Sequence, residues 1–269
     1  MQIIRFITKE NKIVWGTAYD GHTATLLRGD IFSKFENTGQ KIAVEKILSP
    51  IQPAAILCIG LNYRLHAKET GAELPEYPVV FMKNPGAAAA HGDAIQIPAC
   101  CANLPEVDYE AELGVIIKSP VKNVSEANAL DYVLGYTCAN DVSARRWQKH
   151  GGGGQWVKGK SFDTFCPFGP FLVTPDEVGD PQNLSVECML NGKTMQQGHT
   201  SDMIFSVARI ISYLSQSATL LPGTLILTGT PSGVGFARTP PVFLAPGDVV
   251  ITRVEKLGML ENQVASENA

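Results

Sequence analysis

The segment Val107-Asp108-Tyr109-Glu110-Ala111-Glu112-Leu113 alternates apolar odd positions with acidic even ones, and Gly114-Val115-Ile116-Ile117 continues it as an apolar run. A strand sends successive side chains to opposite faces, so Asp108, Glu110 and Glu112 share one face at spacings of about 7 Å. Acids so placed repel one another unless a cation compensates them, and the apolar run that follows argues against a solvated ribbon. Another acid, Asp141, ends the apolar stretch Cys138-Ala139-Asn140 and precedes a helical pattern, where it reads either as an N-cap or as a third ligand. Helical spacing brings Asp141, Arg145 and Gln148 to one face, an arrangement suited to an oxygen-rich substrate. Carboxylate ligation with no matching Cys or His set points to a hard divalent cation, Mg²⁺ before Mn²⁺ or Ca²⁺.

Three other segments carry chemistry-bearing residues. In Asn62-Tyr63-Arg64-Leu65-His66-Ala67-Lys68-Glu69 a helical turn would align His66 with Glu69, and a carboxylate beside an imidazole makes a general base. Gly154-Gln155-Trp156-Val157-Lys158-Gly159-Lys160-Ser161 satisfies the P-loop pattern in letters only. A P-loop needs a strand before it and a helix after it, whereas glycines precede this one and Phe-Asp-Thr-Phe-Cys-Pro-Phe-Gly-Pro follows. Lys160, set among apolar and aromatic neighbours, instead requires acids or a bound anion as partners. Thr228-Gly229-Thr230-Pro231-Ser232-Gly233-Val234-Gly235 follows an apolar run and offers backbone amides and hydroxyls, either to a carboxylate or as a plain turn.

These residues need elements to hold them, and short apolar runs bounded by turn residues supply mostly strands. Strands are expected at 55–59, 79–83, 109–117, 134–139, 171–174, 184–190, 225–227 and 248–254. Helices are expected at 125–133 with Ser125 as cap, at 142–150 ended by the Gly151–Gly154 run, and at 202–216. The last has apolar residues at amphipathic spacing. Residues 1–50 read as a small β-rich segment with one helix near 41–48, and 51–269 as the domain that holds all the candidate residues above. Irregularly spaced strands with few crossover helices argue for a mixed α/β, mostly β architecture over a doubly wound parallel sheet.

Composition sets the outer bounds. Of 269 residues 45% are hydrophobic and 18% charged, enough for a sizeable core and too apolar for overall disorder. A net charge of −4 without a Lys/Arg run excludes nucleic acid as a partner class. No window reaches the ~18 apolar residues of a membrane span, and Arg5 and Lys9 interrupt what would be a signal sequence. Six scattered cysteines without CxxC spacing fit reduced thiols in an intracellular, cytoplasmic protein. Neither a GxSxG elbow nor a zincin motif occurs.

Taken in order, Gly60-Leu-Asn-Tyr with His66, Phe81-Met-Lys83, Glu110-Ala-Glu112, Asp141-Val-Ser-Ala-Arg145, Gly159-Lys-Ser-Phe-Asp163 and Thr228-Gly-Thr-Pro-Ser-Gly-Val234 resemble the fumarylacetoacetate hydrolase family, from Ile56 to about Val264. The Pro240-Pro241-Val242-Phe243-Leu244 segment is similar to a subgroup of short members, some linked to oxaloacetate chemistry. The resemblance implies a β-roll fold, a homodimer and a bound Mg²⁺ or similar ion. It implies Glu110, Glu112 and Asp141 as metal ligands, Lys160 beside the metal and substrate oxygens, and His66 with Glu69 as a water-activating pair. Lys83, Arg145, Gln148 and Thr230 match positions lining the substrate pocket. Arg64-Leu65, where many relatives have Ala-Asp, and the glycine run depart from the family pattern.

The expected reaction is hydrolytic carbon–carbon cleavage of a 1,3-dicarbonyl or acylpyruvate-type 2-oxo acid through a stabilised enolate, because the apparent His66–Glu69 dyad is intact. Decarboxylation or keto–enol tautomerisation of oxaloacetate stands second. A non-catalytic dimeric scaffold stands third, since buried like charges without a task are destabilising.

Overall fold

The computed structural model describes residues 1–150 and 153–267, which leaves Gly151 and Gly152 of the glycine run outside the described residues. The amino-terminal segment forms β1 (Gln2–Ile7), β2 (Ile13–Thr17), β3 (Thr23–Gly29), β4 (Phe35–Ala43) and β5 (Lys46–Leu48). The helix expected near 41–48 is therefore replaced by β4 and β5: Lys41 pairs with Thr25, and Ile47 with Phe6. Its apolar residues find cross-strand partners, which outweighs a weak local helical pattern. Next come β6 (Ala55–Gly60), β7 (Val79–Lys83), the short β8 (Ala88–Ala89), β9 (Ile95–Ile97) and β10 (Val107–Asp108), then β11 (Ala111–Ile117) and β12 (Val133–Asn140). The chain continues through β13 (Ser143–Ala144), β14 (Cys166–Val173), β15 (Ser185–Leu190), β16 (Lys193–His199), β17 (Thr224–Leu227), β18 (Val249–Val254) and β19 (Gly258–Ser266).

The fold is mostly β, as expected. One large sheet runs β4-β3-β2-β1-β14-β12-β11-β17-β6-β7, with β5 on β1 and β8 on β14; a five-stranded sheet runs β16-β15-β18-β19-β9. Because β1 pairs with β14 through Ile3 and Leu172, the amino-terminal strands are continuous with the sheet that carries the rest. The small sheet lies against the centre of the large one, with β15, β18 and β19 facing β11, β12 and β14. Every residue of β11 and β12 is buried, so these two strands form the middle of the core. Each buried Val, Leu or Ile there contributes about 1.5–3 kcal/mol of transfer free energy. Rigidity follows, and with it a fixed platform for whatever leaves the strand ends.

The helices are shorter than the sequence pattern implies. Residues 126–132 form a 3₁₀ segment, and Ser125 makes no side-chain cap bond there. The 142–150 expectation resolves into β13 followed by α2 (Arg145–Lys149), whose N-cap is Ala144, so Asp141 is not a cap. The long 202–216 helix contracts to Val207–Leu214, because the Ser206 hydroxyl accepts from Arg209 N–H and fixes the start there. Helix α1 (Arg64–Thr70) stops at Gly71, whose φ of 65° is the left-handed conformation glycine adopts without strain. Helix α3 is Trp156–Lys160. Beta strands 16 and 19 lie where no strand was expected, for both read as polar segments. All six cysteines are free, and five of them are buried.

Candidate active site

Antiparallel pairing of β11 with β12 sets Ala111 opposite Asn140 and Glu112 opposite Ala139. Residues flanking that register must converge. Asp141 N–H donates to the Glu110 carbonyl at 2.9 Å, and Glu110 N–H to the Asn140 side chain at 2.9 Å. Carboxylate oxygens of Glu110, Glu112 and Asp141 thereby come within 4.8 Å of one another, all three residues buried. Asp108, on the same sequence alternation, goes elsewhere. The chain leaves strand geometry between β10 and β11, and the Asp108 carboxylate accepts from the N–H groups of Gly235 (2.8 Å) and Phe236 (3.0 Å) and from Arg145 Nε (2.9 Å).

Three buried cations answer the acids. The Lys160 ammonium donates to Glu110 at 2.8 Å and to Asp141 at 2.7 Å. Arg145 lies 2.7 Å from Glu110 and 2.8 Å from Asp108, and also donates to Gln148 at 3.0 Å. Lys83 bonds the other oxygen of Asp141 and the Val142 carbonyl. Burial opposes ionisation of Glu110, yet Lys160 and then Arg145 outweigh it and hold that carboxyl below the usual range. Glu112 receives only the Gly229 N–H, at 2.7 Å. Burial, then Asp141, then Glu110 push its carboxyl well above the usual range. Three mutually close oxygen donors, one of them lacking a countercharge, fit a hard divalent cation bound among them.

A cavity of about 300 Å³ opens over this cluster, lined by Glu110, Glu112, Lys160, Arg145, Gln148, Thr230 and His66 among others. Its volume is at the lower end for ligand pockets, which suits a small acid. His66 faces it from α1, and His66 Nδ1 lies 3.1 Å from Glu69 Oε2. Glu69 stands behind the imidazole and not in the cavity wall; its second oxygen accepts from Gly233 N–H at 2.8 Å. With Nδ1 engaged by the carboxylate, Nε2 is the nitrogen left for a ligand. The glycine-rich turn is fastened from the other side. Thr230 donates to the Ala111 carbonyl at 2.9 Å and accepts from Gln196 Nε2 at 2.7 Å, while Gln196 Oε1 accepts from Ala111 N–H at 2.9 Å.

Helices α2 and α3 present Arg145 and Lys160 together because Gly159 permits their approach: a Cβ there would lie 2.6 Å from the Gln148 nitrogen. Lys83 departs from its sequence expectation. It is fully buried beneath Asp141 and does not line the cavity. In its place the wall includes Phe81 of the same motif, and also Lys149, Trp156 and Phe236, to which sequence reasoning gave no part in the pocket.

Residues 55–265 match the family model described as fumarylacetoacetate (FAA) hydrolase C-terminal. The chain belongs to the fumarylacetoacetate hydrolase family. Residues 1–48 match a second model, Rv2993c-like, N-terminal. Among relatives of this family, a fumarylacetoacetate hydrolase domain-containing protein 2 homolog of Dictyostelium discoideum is 48% identical over 84% of this chain and 76% of its own. The protein of Xenopus laevis named oxaloacetate tautomerase fahd2, mitochondrial, is 46% identical over 81% of this chain and 68% of its own. The crystal structure of a 5-carboxymethyl-2-hydroxymuconate delta-isomerase from Mycobacterium smegmatis superposes with a TM-score of 0.86 at 33% identity, covering 99% of this chain and 100% of that one. The chain is thus a member of an enzyme family that includes tautomerase and isomerase relatives. Among the described residues no helix is long and apolar enough to cross a membrane.

Proposed function

We propose that this protein interconverts the keto and enol forms of oxaloacetate or a closely related dicarboxylic 2-oxo acid, with Mg²⁺, or else Mn²⁺ or Ca²⁺, held by Glu110, Glu112 and Asp141. The observation that carries the reading is one small cavity with the Glu69-backed His66, Glu110 and Glu112 in its wall and Asp141 clustered with those two carboxylates. The activity printed for the Xenopus relative favours oxaloacetate tautomerisation over the hydrolysis first expected. A cation bound by the triad supplies positive charge to oxygens of a 2-oxo acid, so that negative charge developing on them is stabilised.

The chain's own residues supply the rest. His66 Nε2 takes the proton from C3; the C–H electron pair becomes the C2–C3 double bond, and the carbonyl pair moves to the C2 oxygen. Glu69, fixed by Gly233, keeps Nδ1 protonated and steadies the imidazolium that forms. Two of the three Lys160 N–H donors are taken by Glu110 and Asp141, which leaves the third for the C2 oxygen. Return of the proton to that oxygen completes the enol.

Hydrolytic carbon–carbon cleavage keeps one observation in its favour, since the same His66–Glu69 pair can deprotonate water. A panel of oxaloacetate, acylpyruvates and larger 1,3-diketones, each assayed with Mg²⁺ and with EDTA, separates the reactions. Chelator-sensitive enol formation from oxaloacetate with intact acylpyruvates supports tautomerisation, while chelator-sensitive acylpyruvate cleavage overturns it. Light scattering after size-exclusion chromatography tests the homodimer implied by the family resemblance.

A further inference from the structure

Charge around the cavity is unevenly spoken for. Arg145 is shared among Asp108, Glu110 and Gln148, Lys160 between Glu110 and Asp141, and Lys83 is sealed under Asp141. Lys149 is the exception. It follows Gln148 at the end of α2, lines the same cavity, and among the described residues makes no ion pair. Its ammonium instead sits 3.7 Å from the centroid of the Phe236 ring, whose face Arg145 shares at 4.4 Å. An aromatic face steers a cation without neutralising it, so Lys149 keeps its charge for an incoming anion.

The sign of the whole site points the same way. Four buried carboxylates, Asp108, Glu110, Glu112 and Asp141, together with the Glu69 carboxylate behind His66, face three buried cations, Lys83, Arg145 and Lys160, which leaves two negative charges. A divalent cation in the triad would cancel these, and Lys149 then supplies one positive charge that no acid of the site opposes.

Resting on the function proposed above, we infer that Lys149 is the specificity residue of this site, recognising the distal carboxylate of a dicarboxylic 2-oxo acid whose 2-oxo-acid end lies at the triad. Arg145 cannot take this part without giving up Asp108 or Glu110, whereas Lys149 gives up only an aromatic contact. The ammonium carries the distal charge at the mouth, so it acts on which acid enters and not on the proton transfer itself.

Wild type, Lys149→Met and Lys149→Arg, each loaded with Mg²⁺ and shown to melt at the wild-type temperature, are titrated by tryptophan fluorescence, for which Trp156 lines the cavity. One ligand is 3,3-difluoro-oxaloacetate, which has both carboxylates and no C3 hydrogen to lose; the other is oxalate, which has no distal arm. Lys149→Met weakens the first at least tenfold and the second less than twofold, and Lys149→Arg restores most of the difference. Equal weakening of both ligands, no weakening of either, or failure of the wild type to bind the difluoro acid overturns the inference. Oxaloacetate tautomerisation is followed in parallel by NMR on the wild type. Its absence together with an intact binding difference removes the proposed reaction and spares Lys149; its presence without a binding difference removes Lys149 alone. Should the Met variant fail to fold, Lys149→Gln takes its place in the same titration.

Discussion

Asp108 and Arg145, 37 residues apart in the chain, are joined by a 2.9 Å hydrogen bond from Nε to Oδ2 in a setting closed to solvent. The pair ties β10 to the helix that carries Gln148. Taking one partner from a buried ion pair leaves the other uncompensated and costs about 3–5 kcal/mol. Asp108→Ala also frees the Gly235 and Phe236 amides, so a loss in that range is expected from urea denaturation followed by circular dichroism. Asp108→Asn keeps an acceptor for those amides and is expected to lose less.

Glu112 is expected to trade stability for cation binding. Its carboxyl is pushed up by burial and then by Asp141 and Glu110. A group whose folded-state pKa is raised supports the fold below its unfolded value, and that support is lost as the pH rises towards the folded value. The metal-free wild type therefore loses stability as the pH climbs above the ordinary carboxylate range, and Glu112→Gln does not show that slope. Around neutral pH the metal-free variant is therefore the more stable of the two and melts at the higher temperature. Differential scanning calorimetry in EDTA across the pH range reads both effects, and an unchanged slope in the variant contradicts the assignment.

Much of this arrangement is legible in the sequence, for definite reasons. Alternation through Glu110 and Glu112 survives because β11 is buried throughout and pairs with β12 in a register that sets Ala111 opposite Asn140 and Glu112 opposite Ala139. The three acids of the triad and Lys160 sit at or beside strand ends and short helices whose neighbours are strongly apolar, so local pattern and tertiary position agree. Asp108 misled because alternation says nothing about a strand that breaks at Tyr109 and sends its acid toward backbone amides of another loop. Lys83 misled in the opposite way: its apolar strand marks burial but not depth. Lys149, Trp156 and Phe236 carry no periodic signal, since they reach the cavity from helix ends and a 3₁₀ turn. Polar strands such as Lys193–His199, which carries Gln196, read as loop until the opposing strand is known.

Cation binding is expected to expel a proton. A cation among Glu110, Glu112 and Asp141 needs all three ionised, whereas burial and the two neighbouring acids favour the protonated form of Glu112 while no cation is bound. Apparent Mg²⁺ affinity therefore falls as the pH is lowered. Calorimetric titrations in two buffers of different ionisation enthalpy give the number of protons released. A positive release near pH 7 that disappears in Glu112→Gln, together with affinity reduced more than tenfold, is the expected result.

His66 and Glu69 are expected to separate chemistry from binding. General acid–base groups of this kind contribute about 10²–10⁴-fold to rate, so His66→Ala should lower kcat for enol formation by that factor. Glu69 acts through the imidazole and through Gly233, to which it is bonded at 2.8 Å. Glu69→Gln keeps a side-chain oxygen for that amide but gives the imidazolium a weaker partner, so kcat falls less than in His66→Ala. Neither residue belongs to the triad, so Mg²⁺ affinity by calorimetry should stay within about threefold of wild type in both variants, a change below roughly 0.7 kcal/mol. The contrast between the two variants gives the sharper reading, because the 3.1 Å contact from Glu69 to His66 Nδ1 lets Glu69 act on the rate only through the imidazole. A kcat of Glu69→Gln equal to that of the wild type would show that Glu69 only braces α1 against the glycine-rich turn and takes no part in the proton transfer.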